Sequence, residues 1–148
     1  MNVTKILLTT DLSDESQRAF EAAAQLARLS GASITLLHVV EDVPVTAHGA
    51  PGAPAMHSPS IPDLVEDGKT RVAKHATKLP SDLTIQTDVI TGANVAEAVA
   101  DYAQEHGHDL IALSTHGRSG FKRFFLGSVA EKVLRHAHVP VLVFPRNE

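Results

Sequence analysis

The feature that most constrains this chain is a strict alternation of short apolar runs with amphipathic helical stretches. Val3 to Thr9, Ser33 to Val40 and Asp109 to Ser114 are nearly continuous apolar segments. Runs of that length suit strands covered on both faces, as in a parallel sheet. Leu83 to Thr91 alternates apolar and polar residues and predicts a less covered strand, whereas Val139 to Phe144 carries Pro140, which favours an edge. Between these segments the helical signals recur. Ser13 can cap a first helix with Ala19, Phe20, Ala23, Leu26 and Ala27 inward and Gly31 past its end. A second helix spans about Ile61 to Lys78, with Leu64, Val65, Gly68, Val72 and Ala76 inward and Pro80 as its stop. Asn94 opens a third that ends at Gly107, and Ser128-Val-Ala-Glu131 fits a capping box opening a fourth, with Val129, Val133, Leu134 and Ala137 as its stripe.

The order β-α-β-α-β-α-β-α-β predicts an α/β fold: one domain over residues 1–148, a five-stranded parallel sheet with helices on both faces, Rossmann-like in layering. With strands 3 and 5 as edges and right-handed crossovers, the strand order is 3-2-1-4-5. The connections then reverse direction between strands 1 and 4. A crevice is expected there, beyond Thr9-Thr10-Asp11 and Leu113-Ser114-Thr115.

Composition removes several function classes. Lys+Arg 13 against Asp+Glu 17 gives a net charge of -4, too even for a generic nucleic-acid or membrane-surface binder. Aromatic residues are 4% and Trp is absent, so no base-stacking platform is expected. There is no cysteine, which excludes disulfides, thiolate metal sites and Cys nucleophiles. No apolar run approaches the roughly 18 residues of a membrane span, and the first residues lack a signal-peptide layout, so a cytoplasmic protein is the expectation. Val43 to Pro62 has no Asp, Glu, Lys or Arg but five prolines and two glycines, and is read as a mobile loop or lid.

The densest chemical signal is Ser114-Thr-His-Gly-Arg-Ser-Gly-Phe-Lys-Arg-Phe-Phe-Leu-Gly-Ser128, running from strand 4 to the start of helix 4. Gly117, Gly120 and Gly127 permit close backbone approach to a ligand, and a helix N-terminus offers unpaired N–H groups and the positive end of its dipole. Hydroxyls of Ser114, Thr115, Ser119 and Ser128 and the charges of Arg118, Lys122 and Arg123 complete a set suited to a di- or triphosphate. The same glycines can equally be turn formers, with Ser128 an N-cap and the basic residues a solvated face. Neither a Walker A loop nor a dinucleotide fingerprint is present. Asp11 suits a ligand contact or the start of helix 1. The pairs His106/His108 and His136/His138, at i,i+2, do not align metal ligands on a helix. Ser119 or Ser128, His116 and Asp11 or Asp109 supply the residue types of a hydrolase triad, but no G-x-S-x-G elbow surrounds any serine.

The pattern Ser114-x-x-Gly117, nine residues, Gly127-Ser128 resembles the signature of the universal stress protein family, with serine in place of the first glycine. Lys5-Ile-Leu-Leu-Thr-Thr-Asp11, Leu36-Leu-His-Val39-Val and Val139-Pro-Val-Leu-Val are similar to that family's first, second and last strands. The resemblance implies ATP as cofactor, with Mg2+ carried by its phosphates. It implies a triphosphate on the backbone of Gly117 and Gly127-Ser128, Asp11 at ribose or base, and the Val39 main chain at adenine. The expected nucleotide-binding set is Thr9, Thr10, Asp11, Val39, Leu113, Ser114, His116, Gly117, Arg118, Gly120, Gly127, Ser128, Val129 and Ala130. The expected role is a nucleotide-dependent regulator or stress-response module, homodimeric through strand 139–144, without nucleic acid or membrane insertion. Two alternatives stay open: a nucleotide-free homodimeric interaction protein of the same fold, and a weak ATPase.

Overall fold

The computed structural model describes residues 2–42, 59–115 and 126–145. Five strands, β1 (Lys5–Thr9), β2 (Ser33–Glu41), β3 (Ile85–Gly92), β4 (Leu110–Ser114) and β5 (Val141–Phe144), form one sheet in the order β3-β2-β1-β4-β5. Every pair is parallel, so the expected order 3-2-1-4-5 holds. The helices are α1 (Arg18–Ser30), α2 (Ile61–Ala76), α3 (Val95–Glu105) and α4 (Ser128–His136), with a single 3-10 turn at Glu15–Gln17 before α1.

Strand alternation divides the core in two. Ile6, Leu8, Ile34, Leu36 and Val40 join Phe20 and Ala23 of α1 and Val72 of α2 on one face of the sheet. Leu7, Leu37, Val39, Ile111 and Leu113 join Val99 and Ala103 of α3 and Val133 of α4 on the other. Successive residues therefore enter opposite cores, which is why the sequence shows unbroken apolar runs. Each fully buried Ile or Leu contributes about 1.5–3 kcal/mol, so the two cores fix the register of the central strands. Edge strands β3 and β5 are only partly buried, in line with their weaker patterns.

Helix ends follow identifiable chemistry. The Ser60 side chain accepts the Asp63 N–H while Asp63 reaches back to Ser60, a full capping box at the head of α2. Asn94 Oδ1 accepts from the N–H groups of Ala96 and Glu97 at the head of α3. Gly31 ends α1 at φ 72°, a left-handed position that glycine adopts without steric cost. Gly68 lets α2 settle on the sheet, since a Cβ there would stand 3.2 Å from Val89 Cγ1 and 3.3 Å from His38 Cδ2.

Four expectations need correction. Ser13 does not cap α1 directly: its Oγ accepts the Ser16 N–H at 3.3 Å and so opens the intervening 3-10 turn. Ser128 is not an N-cap, because Gly127 holds that place with φ -60° and ψ 150°, and Ser128 is the first helical residue. The stripe of α4 is also rotated. Ala130 and Val133 are buried, whereas Val129 and Leu134 are 46% and 45% exposed, since they flank the face centred between Ala130 and Val133. Pro140 precedes β5 rather than lying in it, and its carbonyl accepts the Ile111 N–H at 3.0 Å. The lid expectation falls mostly on residues 43–58, which lie outside the described residues.

Candidate functional site

Because β1 and β4 are adjacent and their outgoing connections lead to opposite faces, their carboxyl ends leave a gap in the helical cover. A cleft of about 370 Å³ opens there. It is walled by Thr9, Thr10 and Asp11 from the end of β1, Val39 of β2, Leu113 and Ser114 of β4, and Gly127, Ser128, Val129 and Ala130 at the start of α4. These ten of the fourteen sequence-predicted residues come from four separate stretches of chain and meet in one cavity. His116, Gly117, Arg118 and Gly120 lie outside the described residues.

The turn after β1 is held by its own hydroxyls. Thr10 Oγ1 accepts the Leu12 N–H at 3.0 Å and pairs with Ser16 Oγ at 2.7 Å. Ser16 Oγ also lies 2.7 Å from the Ser13 carbonyl, and Asp11 Oδ1 accepts from the Ser13 N–H at 3.0 Å and from the Ser13 hydroxyl. Leu12 adopts φ 65°, a costly conformation for leucine that this network and its burial hold in place. His38 Nδ1 meets the Thr10 carbonyl at 2.9 Å, tying the turn to β2. Asp11 is thus positioned by its own turn at the cleft wall.

The opposite wall is a helix start. The N-cap Gly127 has no side chain to cap α4, and its carbonyl accepts the Glu131 N–H at 2.9 Å. The N–H groups of the first turn are those a helix leaves without partners of its own, and they carry the positive end of its dipole. The Gly127 N–H bonds the Thr115 carbonyl at 2.8 Å, which anchors this helix start to the end of β4. The floor between is apolar, with Leu37, Val95, Val99 and Val133 lining it beside the residues above. An oxygen-rich rim, an apolar floor and a helix N-terminus suit a ligand with an anionic end and a flat apolar part.

Sequence reasoning missed Ser16, Leu37, His38, Glu41, Val95, Val99 and Val133 of the lining, and placed Thr115 at the crevice without including it in the binding set. Leu37 and Glu41 were within reach, since each is two residues from Val39 on the same strand and shares its face. Those of α3 and α4 required tertiary packing.

Two histidines outside the cleft are electrostatically notable. His75 of α2 meets Phe20 edge-on, and its Nδ1 is buried without a partner among the described residues. Burial lowers its pKa, with Lys78 and Arg71 adding to that and Asp14 and Asp11 opposing it. His108, before β4, is 6% exposed and meets Thr35 Oγ1 at 3.0 Å through Nε2, its Nδ1 likewise without a partner among the described residues. Burial lowers its pKa too, helped by His106 and Lys5. Among the described residues no group of three or more His, Asp or Glu side chains is placed to hold a metal ion, and no helix is long and apolar enough to cross a membrane.

Residues 2–145 match the family model described as the universal stress protein family. The chain belongs to that family. It is 33% identical to the universal stress protein MJ0531 of Methanocaldococcus jannaschii over 139 residues, 94% of this chain and 80% of that protein. It is 30% identical to the universal stress protein YxiE of Bacillus subtilis, over 94% of this chain and 97% of that one. Among solved structures, MJ0577 superposes with a TM-score of 0.78 at 23% identity, covering 100% of this chain and 99% of that one, which is a likeness of fold. A universal stress protein solved in complex with cAMP has a TM-score of 0.62 at 24% identity, covering 99% of this chain and 100% of that one. One from Archaeoglobus fulgidus in complex with dAMP has 0.60 at 19%, covering 97% and 98%.

Proposed function

We propose that this universal stress protein is an adenine-nucleotide-binding module that takes ATP in the β1/β4 cleft and acts as a nucleotide-dependent regulator in stress response. The observation that carries the reading is the convergence of Asp11, Val39, Ser114 and Gly127-Ser128, from four stretches of chain, on one cleft of about 370 Å³. A cavity of that size is in the usual range for a small-molecule site. The cAMP and dAMP complexes of structurally similar family members support the same ligand class.

In this reading the phosphates lie on the backbone N–H groups at the start of α4, from Ser128 to Ala130, and His116, Gly117, Arg118 and Gly120 complete the cradle. The Ser114 hydroxyl stands in for a backbone approach that glycine would allow. Asp11 takes the ribose or base, the Val39 main chain meets adenine, and Thr9, Thr10 and Leu113 line the walls. Mg2+ arrives with the phosphates rather than in a dedicated protein cage. The chain acts as one domain, in the cytoplasm, as a homodimer joined through strand 139–144.

A second reading, a nucleotide-free homodimeric interaction protein, draws on Leu142, 36% exposed on edge strand β5. Copurification separates the two. Protein purified without added nucleotide and then denatured should release an adenine nucleotide, identified by chromatography and mass spectrometry. Release of none, together with no binding of added ATP, favours the interaction protein.

A further inference from the structure

We infer that Glu41 selects the base: its carboxylate, at the apolar end of the cleft, accepts a hydrogen bond from the exocyclic amino group of a 6-aminopurine and disfavours a 6-oxopurine. This rests on the nucleotide reading above and names a determinant that reading leaves open.

Alternation along β2 puts Leu37, Val39 and Glu41 on one face, and all three line the cleft. Leu37 and Val39 are buried in the core under α3 and α4, whereas Glu41, the last residue of the strand, is exposed at the rim. Glu41 pairs in register with Gly92. A Cβ at Gly92 would stand 2.8 Å from Ala98 Cβ, so the missing side chain lets α3 close over β3 beside this end of the cleft. A flat ring resting on Val39 and Val95 therefore has its outer edge toward Glu41.

Charge fixes the direction of the ligand. β1 separates β2 from β4, so Glu41 lies about 10 Å across the sheet from the β4 side, at two strand spacings. A carboxylate repels phosphates, and the helix start that attracts them is on that far side. The base is thus the part of the nucleotide that reaches Glu41. A carboxylate only accepts hydrogen bonds, which matches a 6-amino donor and opposes a 6-oxo acceptor. Glutamine can present its NH2 instead, so exchanging the carboxylate for an amide removes the preference.

The test is calorimetric titration of the full chain, wild type and Glu41→Gln, with ATP, ITP and 2′-deoxy-ATP, after thermal melts establish that the variant folds. Wild type should bind ATP about tenfold more tightly than ITP, the order of one hydrogen bond to a charged group. In Glu41→Gln that ratio should fall to within about twofold, with the ATP to deoxy-ATP ratio unchanged, as the amide meets either group. An unchanged ATP to ITP ratio in a variant that still binds ATP overturns the Glu41 assignment and leaves the nucleotide reading standing. A change confined to the deoxy-ATP ratio overturns it too, by placing Glu41 at the sugar. Failure of wild type to bind any of the three overturns both.

Discussion

Thr10 Oγ1 and Ser16 Oγ meet at 2.7 Å inside the turn between β1 and α1, with the two residues only 5% and 3% exposed. This pair couples the end of the central strand to the helix that follows, and Leu12 depends on it through its N–H bond to Thr10 Oγ1. Thr10→Val keeps the shape but strands the buried Leu12 N–H and weakens the hold on its left-handed backbone. The expected loss is about 1–3 kcal/mol in urea unfolding. ATP affinity should fall with it, because Asp11 is placed by the same turn. A variant as stable as wild type would show that the network is incidental.

Stability should decline on mild acidification. His75 and His108 have folded-state pKa values below the ordinary 6.5. Below that value the unfolded chain binds protons that the folded one resists, so their contribution is complete above about pH 6.5 and shrinks as pH falls. Lys5, His106 and Asp109 flank His108, while Lys78, Arg71, Asp14 and Asp11 surround His75. Asp82 and Asp109, held low by Arg28 and by Thr4, lose their contribution only below the ordinary aspartate value near 3.8, a separate window. Urea midpoints between pH 8 and 5.5 should drop for wild type and flatten for His75→Gln/His108→Gln. An equal drop in both would assign the effect to other groups.

Assembly has a direct handle in Leu142. Its register partner is Ala112, a residue of the α1/α2-side core, yet Leu142 is 36% exposed at the sheet edge. An edge strand with such a side chain invites pairing with another copy. Sedimentation should show a dimer at micromolar concentration, and Leu142→Lys should shift it to monomer with little change in monomer stability. A wild type that sediments as monomer contradicts the proposed homodimer.

The strand order was legible because its cues are local: unbroken apolar runs mark the central strands, while Pro140 and the apolar–polar alternation of Leu83 to Thr91 mark the edges. The cap of α4 was less so. Gly127-Ser128 offers two adjacent cap residues, and the S-x-x-E pattern points to the wrong one by a single position. The left-handed Leu12 carries no sequence signal, since leucine rarely adopts that backbone and only the surrounding hydroxyl network holds it. The β1 and β4 ends of the cleft followed from topology and Val39 of β2 from the family resemblance, whereas Val95, Val99 and Val133 reach it through helix packing.

Moving the cap to Gly127 changes what Ser128 can report. Its hydroxyl is not the N-cap of α4, so Ser128→Ala should spare most of the roughly 0.5–2 kcal/mol that loss of a cap costs. Thermal melts should stay close to wild type while ATP binds several-fold more weakly and adenosine is unaffected. A large destabilisation with unchanged ATP affinity would return Ser128 to a purely structural role.

The central claim is that the start of α4 holds phosphates, and Gly127→Val tests it most directly. Gly127 sits at φ -60° and ψ 150°, extended backbone that valine adopts readily, so the substitution adds bulk without backbone strain. Calorimetry of ATP binding to the folded variant, its fold established by circular dichroism and thermal melting, is the measurement. ATP binding should be lost while the melt stays cooperative. Wild-type ATP affinity in a folded Gly127→Val protein would contradict the phosphate site.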